Sequence, residues 1–312
     1  MRFFFAGCCC LCSTVLCSTS LGAVPRSDPT PYVSARLGSQ LGNQLWLIAT
    51  ALAIAWDHGA QPVFPDLLRK DYNFPLNREK IFFRLSTFQP PLMRWKRCGM
   101  EGLKNGRVLY EPYTYQPNMQ IVDWGWVIHY FDRYKSRLIQ TFAPSREENQ
   151  AIEAKYGELL RAKDLVGVHI RAYRPDMFAF IGFDYIKEAL DRFSDDCTFA
   201  IFSCRIDWAR HHLRGYKPKM VFIEGNDHVR DFFLLNKCKH HIIGNSTYGF
   251  WAAYLKDDPE QRVIVPDFYN YGTESFTVEK GCYPPNWEVL HVENPVQQPD
   301  IASYPTTSIH GG

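Results

Sequence analysis

The run of apolar and polar positions changes character near residue 145. In the first half, "NQLWLIATALAIAWDHG" (43–59), together with Leu41, carries apolar side chains at 41, 45, 48, 52 and 55. That spacing lines one face of a helix, and Gly59 is a natural stop. Before it, "YVSARLGSQLG" predicts a short strand from Tyr32 and a loop with Gly38 and Gly42 four apart. Strand, glycine loop and helix make a βα unit whose helix N-terminus suits an anion. Residues 60–120 hold neither period; rich in Pro, Phe and Arg, they predict irregular structure with short helices. "VDWGWVIHYFDRYKSRLIQTF" (122–142) predicts an aromatic turn leading into a helix.

The second half is regular. "PSREENQAIEAKYGELLRAK" (144–163) opens on Ser145 with Glu148 three residues later, the sequence of a capping box. Apolar strands "LVGVHIR", "TFAIFS", "MVFIE", "HIIG" and "RVIVP" then alternate with helices "DYIKEALDRF", "IDWARHHL", "VRDFFLLNKC" and "YGFWAAYLK", and "RVIVP" closes the series. Short connections and nearly continuous apolar strands predict a parallel sheet covered on both faces. The fold class is therefore α/β, with an N-terminal unit over 32–143 and a C-terminal unit over 144–290. The tail 291–312, rich in Pro, Ser and Thr, predicts disorder.

Composition adds boundaries. With 312 residues the chain is long enough for two modest domains. Its net charge of +2 gives no case for nucleic acid as partner. Residues 1–23 carry one Arg and then an uncharged run, which reads equally as a secretory signal or as a membrane anchor. Either implies the secretory pathway, with a Golgi membrane as one destination, and membrane association through this segment. Residues 24–31, with three prolines, read as a linker. Cys98, Cys197, Cys204, Cys238 and Cys282 are widely spaced; an oxidising lumen would allow one or two bridges. The body has no C-x-x-C, no Asp-x-Asp and no G-x-x-x-x-G-K-[ST], so zinc-ribbon, metal-diphosphate and P-loop chemistry lack their usual signatures.

In open parallel sheets ligands bind beyond the carboxyl ends of the strands. Three such ends are polar: His169, Arg171 and Arg174; Ser203, Cys204 and Arg205; Asn245, Ser246 and Thr247. Facing the loop 38–43, they would form a cleft with a guanidinium fork, hydroxyls and amides, which suits a diphosphate. Each also has a plainer reading. Arg171 could be a paired surface arginine and His169 a satisfied core histidine. Asn245-Ser246-Thr247 could simply cap a helix or carry a glycan. Asp231 fits a first-turn helix acid, and Cys238, His240 and His241 are crowded around a helix end. Trp95, Tyr113, Tyr115, Trp124 and Trp126 are candidates for stacking on sugar faces, or core.

These motifs together resemble the α-1,2-fucosyltransferases, glycosyltransferase family 11. "GSQLGNQLWLIATALAIA" is similar to the family's Gly-x-Leu-Gly-Asn-Gln segment, "VGVHIRAYRPD" to its His-x-Arg-Arg-Gly-Asp stretch, and "DFFLLNKCKHHIIGNSTYGFWAAYL" to its Asp…Cys-x-His…Ser-Thr-Phe-x-x-Trp block. "FAIFSCRIDWAR" and "CYPPNWEVL" extend the resemblance over about 33–290. It implies a GT-B-like pair of Rossmann-like domains, the N-terminal one on the acceptor side. It also implies an inverting transfer from GDP-fucose to a glycan acceptor, most often O-2 of a terminal galactose, with no metal or other cofactor. By resemblance, Arg171 grips the diphosphate and stabilises the leaving GDP, and His169 orients Arg171 or contacts the nucleotide. Ser203, Asn245, Ser246 and Thr247, with Gly42, Asn43 and Gln44, bind donor. The chain departs where the family's second Arg is Ala172 and Gly-Asp is Tyr173-Arg174; Arg174 is a candidate substitute and the displaced Asp176 a candidate base. Ser203-Cys204-Arg205 stands where many bacterial members are acidic. Another acceptor, such as a protein O-linked site, or an inactive nucleotide-sugar or glycan-binding relative are the alternatives.

Overall fold

Two parallel sheets are arranged so that the glycine-loop helix lies between them. The computed structural model describes residues 30–90, 94–99, 103–104, 107–108, 110–122, 127–171, 180–271, 274–277 and 282–293. Within this range, 31 onward forms one compact unit. In chain order the first half holds β1 (Tyr32–Ala35), α1 (Leu41–Asp57), β2 (Gln61–Pro62), α2 (Phe74–Lys80), β3 (Lys96–Cys98), a hairpin of β4 (Leu103–Lys104) and β5 (Arg107–Val108), β6 (Met119–Ile121) and α3 (Lys135–Thr141). The second half holds α4 (Arg146–Leu160), β7 (Leu165–Ile170), α5 (Gly182–Asp191), β8 (Thr198–Ser203), α6 (Ile206–Leu213) and β9 (Met220–Phe222). It continues with α7 (His228–Lys237), β10 (His240–Ile243), α8 (Thr247–Tyr254), β11 (Val263–Pro266), a hairpin of β12 (Phe268–Tyr271) and β13 (Glu274–Thr277), and β14 (Glu288–Leu290).

The first sheet runs β2-β1-β6-β3, all parallel. Three of its strands lie in the region expected to be irregular. They are two or three residues long, too short to display a period of two. The second sheet runs β14-β11-β10-β7-β8-β9, also all parallel. Read from β9, this is the strand order of a dinucleotide-binding sheet, and it reverses direction between β7 and β10. "RVIVP" does not close the series: β14 adds a sixth strand after the β12–β13 hairpin.

The α1 helix is buried nearly all round, because the first sheet covers one side and α8 the other. Its Trp46 ring stacks on Phe250 at 4.9 Å and meets Phe131 at 5.1 Å and Trp251 at 5.5 Å. This aromatic cluster belongs to a core containing Val33 and Ile121 of the first sheet and Val263 of the second. A second core covers the other face of the second sheet, beneath α5 and α6. Burying several large rings at a joint makes their contact area the main adhesive between the halves.

A polar joint supplements it. Lys80 at the end of α2 pairs with Asp227 at 2.6 Å and with Glu148 of α4 at 3.2 Å; Arg230 of α7 holds the same Glu148 at 2.6 Å. The capping box expected at Ser145 therefore forms by half. Ser145 Oγ accepts the Glu148 N–H at 3.1 Å, but the Glu148 carboxylate turns to Arg230 and Lys80, since two cations outbid one amide. Cys98, Cys197 and Cys238 are thiols. The tail beyond 293 and the segment 1–29 lie outside the described residues. Among the described residues no helix is long and apolar enough to cross a membrane.

Candidate active site

Strand register fixes what meets at the site. Ile170 pairs with Ser203, and His169 with Ile243, so the chain leaves β7, β8 and β10 at one level. Arg171, Ser203 and the turn Gly244-Asn245-Ser246 therefore share the carboxyl edge of the sheet. The reversal of strand order falls between β7 and β10, where diverging connections open a crevice.

The N-terminus of α8 rises from this edge and meets the N-terminus of α1. Thr247 Oγ1 donates to Asn43 Oδ1 at 2.9 Å. A Cβ added to Gly42 would lie 2.5 Å from the Tyr248 nitrogen and 2.6 Å from the Thr247 carbonyl carbon. Only glycine allows this approach of two backbones. Neither helix carries an acidic residue in its first turn, and neither N-cap residue, Gln40 or Ser246, bonds its own helix through its side chain. The first turns and dipole ends of two helices thus meet with no acidic side chain in either turn.

His169 is buried under α8, with its ring 5.1 Å from the Tyr248 ring. Gly249 gives it room: a Cβ there would stand 2.9 Å from His169 Nδ1. This position suits a group that holds the strand end and α8 together better than one that meets ligand. Arg171, one residue past the strand, is half-buried. Burial pushes the Tyr248 hydroxyl well above its usual range, Asp231 and Asp227 add to this, and the nearby Arg171 charge opposes it. Tyr248 stays neutral, and donates to the His228 carbonyl at 2.6 Å.

The remaining candidates divide. Ser203 Oγ accepts the Arg205 N–H at 3.1 Å and closes the turn after β8. Asn245 and Ser246 are each 3% exposed, whereas Thr247 is half-exposed. Gln44 does not line the cleft as expected. It is 0% exposed, and its amide is committed to the Ser39 carbonyl (2.8 Å) and to Asn77 (2.8 Å). Ala172, Arg174 and Asp176 lie outside the described residues, as do Trp124 and Trp126. Tyr113 donates to Asp57 at 3.1 Å, and Tyr115 stacks on His58 at 3.8 Å, so both are occupied within the first half; Trp95 is half-exposed.

Cys238, His240 and His241 act structurally. Burial pushes the Cys238 thiol up to about 12. His241 lies between the Leu235 carbonyl (2.8 Å) and Gln261 (2.9 Å), and burial lowers it to about 3. Asp231 accepts from Asn226 at 2.8 Å. No group of three or more His, Cys, Asp or Glu able to hold a metal gathers among the described residues.

Sequence reading missed Asn77, His228 and Tyr248. Asn77 lies in the aperiodic stretch and His228 resembles any polar residue opening a helix. Only Tyr248, beside the Asn-Ser-Thr turn, was adjacent to a signal.

Residues 128–291 match the sequence model of Glycosyl transferase family 11. Among curated proteins, the chain is 30% identical to an alpha-1,2-colitosyltransferase of Escherichia coli over 44% of this chain and 51% of that protein. It is 25% identical to galactoside alpha-(1,2)-fucosyltransferase 2 of Oryctolagus cuniculus, over 69% of this chain and 64% of that one. The chain thus spans between half and two thirds of the length of these relatives. Among solved structures, NodZ alpha-1,6-fucosyltransferase co-crystallised with GDP superposes with a TM-score of 0.50 over 73% of this chain and 93% of that one, at 12% identity. That likeness concerns the fold: an α/β chain with two parallel sheets, as the family resemblance implies.

Proposed function

Because the chain belongs to Glycosyl transferase family 11, we propose that it transfers fucose from GDP-fucose to a glycan hydroxyl, with O-2 of a terminal galactose as acceptor. The observation that carries this reading is the meeting of the α1 and α8 N-termini at Gly42, on the sheet edge that Arg171 also leaves, at the switch point of the second sheet. Such a place suits a diphosphate: its charge faces two dipole ends, and a guanidinium can donate to two of its oxygens.

In the transfer, the acceptor oxygen bonds to the anomeric carbon as the carbon–phosphate oxygen bond breaks. Configuration inverts, GDP leaves with the bonding pair, and the acceptor proton passes to a base. Negative charge grows on the diphosphate, so Arg171 and the first-turn amides of α8 do most of the catalytic work. His169 and Gly249 set the height of that turn above β7.

Incubating the purified chain with GDP-fucose and lactose tests this: GDP release and an α-1,2-linked product support it. Turnover confined to a peptide acceptor would replace the acceptor; GDP binding with no turnover on any acceptor would leave a binding protein. A second donor reading follows from the colitosyltransferase similarity. Faster turnover of GDP-colitose than of GDP-fucose would favour it.

We also propose entry into the secretory route through residues 1–23, tested by fusing that segment to a reporter and fractionating cells.

A further inference from the structure

Two helices grip the glycine loop through matched amides. Asn73 Nδ2 donates to Gln40 Oε1 at 2.6 Å, and Asn77 Nδ2 donates to Gln44 Oε1 at 2.8 Å. Asn73 and Asn77 are one turn apart at the start of α2; Gln40 and Gln44 are one turn apart at the start of α1. Side chains four apart lie on one helix face, so the two pairs form a ladder. Between its rungs lie Gly42 and Asn43, the residues that meet α8. Immediately before it is Ser39, which holds φ +58°, a region L-residues seldom occupy unless their surroundings enforce it.

The inner rung continues into the second half. His228 Nε2, at the start of α7, lies 2.6 Å from Asn77 Oδ1 across 151 residues of sequence. Bond polarity is set from one end. The Ser39 carbonyl can only accept, so Gln44 presents Nε2–H to it and turns Oε1 to Asn77. Asn77 must then donate through Nδ2 and accept through Oδ1, which requires the proton on His228 Nε2. The His228 carbonyl accepts from Tyr248, whose ring packs on His169. Gln44, Asn77 and His228 are all buried, so each bond is shielded from competing water.

We propose that Asn77 and His228 are positioning residues. Through Asn77 of the first half, His228 of the second half fixes the conformation of loop 39–44, and so the pair aligns the α1 N-terminus with α8 for the diphosphate. The functional part of this inference rests on the fucosyl-transfer reading; the structural part does not. Packing alone would give a different result from polarity, and an isosteric change separates them. Asn77→Asp keeps shape and keeps an acceptor for His228, but sets a carboxylate oxygen against Gln44 Oε1.

The test is amide hydrogen exchange of the full chain combined with donor kinetics. Asn77→Asp and His228→Leu should speed exchange at residues 39–45 by about tenfold or more, since each leaves a buried polar group unsatisfied. They should raise KM for GDP-fucose by about tenfold with KM for lactose unchanged. His228→Gln, which retains an N–H at similar reach, should stay within about twofold of wild type in both readouts. Should Asn77→Asp not fold, the two His228 variants decide. Wild-type exchange at 39–45 in His228→Leu, or acceleration spread equally to α5 in the other core, overturns the proposal. A wild-type chain that fails to bind GDP-fucose would defeat the transfer reading, while the exchange data would still judge the coupling.

Discussion

Thr247 donates its hydroxyl hydrogen to Asn43 Oδ1 at 2.9 Å, across 204 residues of sequence. This bond joins the first turns of the two helices that frame the site. Thr247→Val and Asn43→Ala should each cost about 1 kcal/mol of stability. Their costs should fall short of additive in the double variant, because the same bond is lost in each. Urea denaturation of the four chains measures this; strict additivity would mean the two residues do not interact.

Gly42→Ala should be far more damaging than its size suggests. The new methyl carbon would meet the α8 backbone at 2.5–2.6 Å, and neither helix can yield without disturbing the Trp46 cluster. Overpacking of this kind costs roughly 1–3 kcal/mol. Thermal denaturation should register that loss together with weakened GDP binding by calorimetry. Wild-type stability would show that the helices do not approach this closely.

Arg171 separates charge from geometry. Arg171→Ala should lower kcat by roughly 10²–10³-fold, the usual effect of removing one group that stabilises developing charge. Arg171→Lys keeps the charge but not the fork, and should recover only part of it. Circular dichroism should show both variants folded, since Arg171 lies past the end of β7. Activity surviving in Arg171→Ala would move the site elsewhere.

Stability should fall in two stages as pH drops. His241 is lowered to about 3 by burial, so between its ordinary 6.5 and that value only the unfolded chain takes up the proton. Its contribution is whole above 6.5 and declines below it, by up to about 1.4 kcal/mol per pH unit. At lower pH a second loss begins. Burial tends to raise Glu148 and Asp227, but Arg230 and Lys80 outweigh it for Glu148, as Lys80 and the α7 amides do for Asp227. Both carboxyls sit below their ordinary 4.5 and 3.8, and their contribution disappears as pH falls through the lowered values. Urea midpoints from pH 8 to 3 measure the course, and Lys80→Met should flatten the second stage. An imidazole resonance of His241 that titrates near 6.5 would contradict the first.

Five strands of the second sheet were legible from their apolar runs, with Ser145 marking the start of α4; β14, three residues opening on Glu288, was not. The first sheet was not legible, since β2 and β6 are held by register with β1, and β3 by register with β6, and not by any pattern of their own. Arg171, Thr247 and Gly42 could be named because they follow predicted strands or glycine spacings. Gln44 was assigned to the cleft from its place in that same loop; its burial depends on Asn77, 33 residues away, in a stretch with no period. Partners fixed by tertiary packing leave no local trace, and the Asn77–His228 bond is the clearest case.

Whether a diphosphate binds where α1 and α8 meet is decided by a crystal structure of the chain with GDP. The diphosphate should lie against the first-turn amides of α8, beside Gly42, with the Arg171 guanidinium on its oxygens. GDP bound away from the β7–β10 switch point, with Arg171 turned from it, would place the donor site elsewhere.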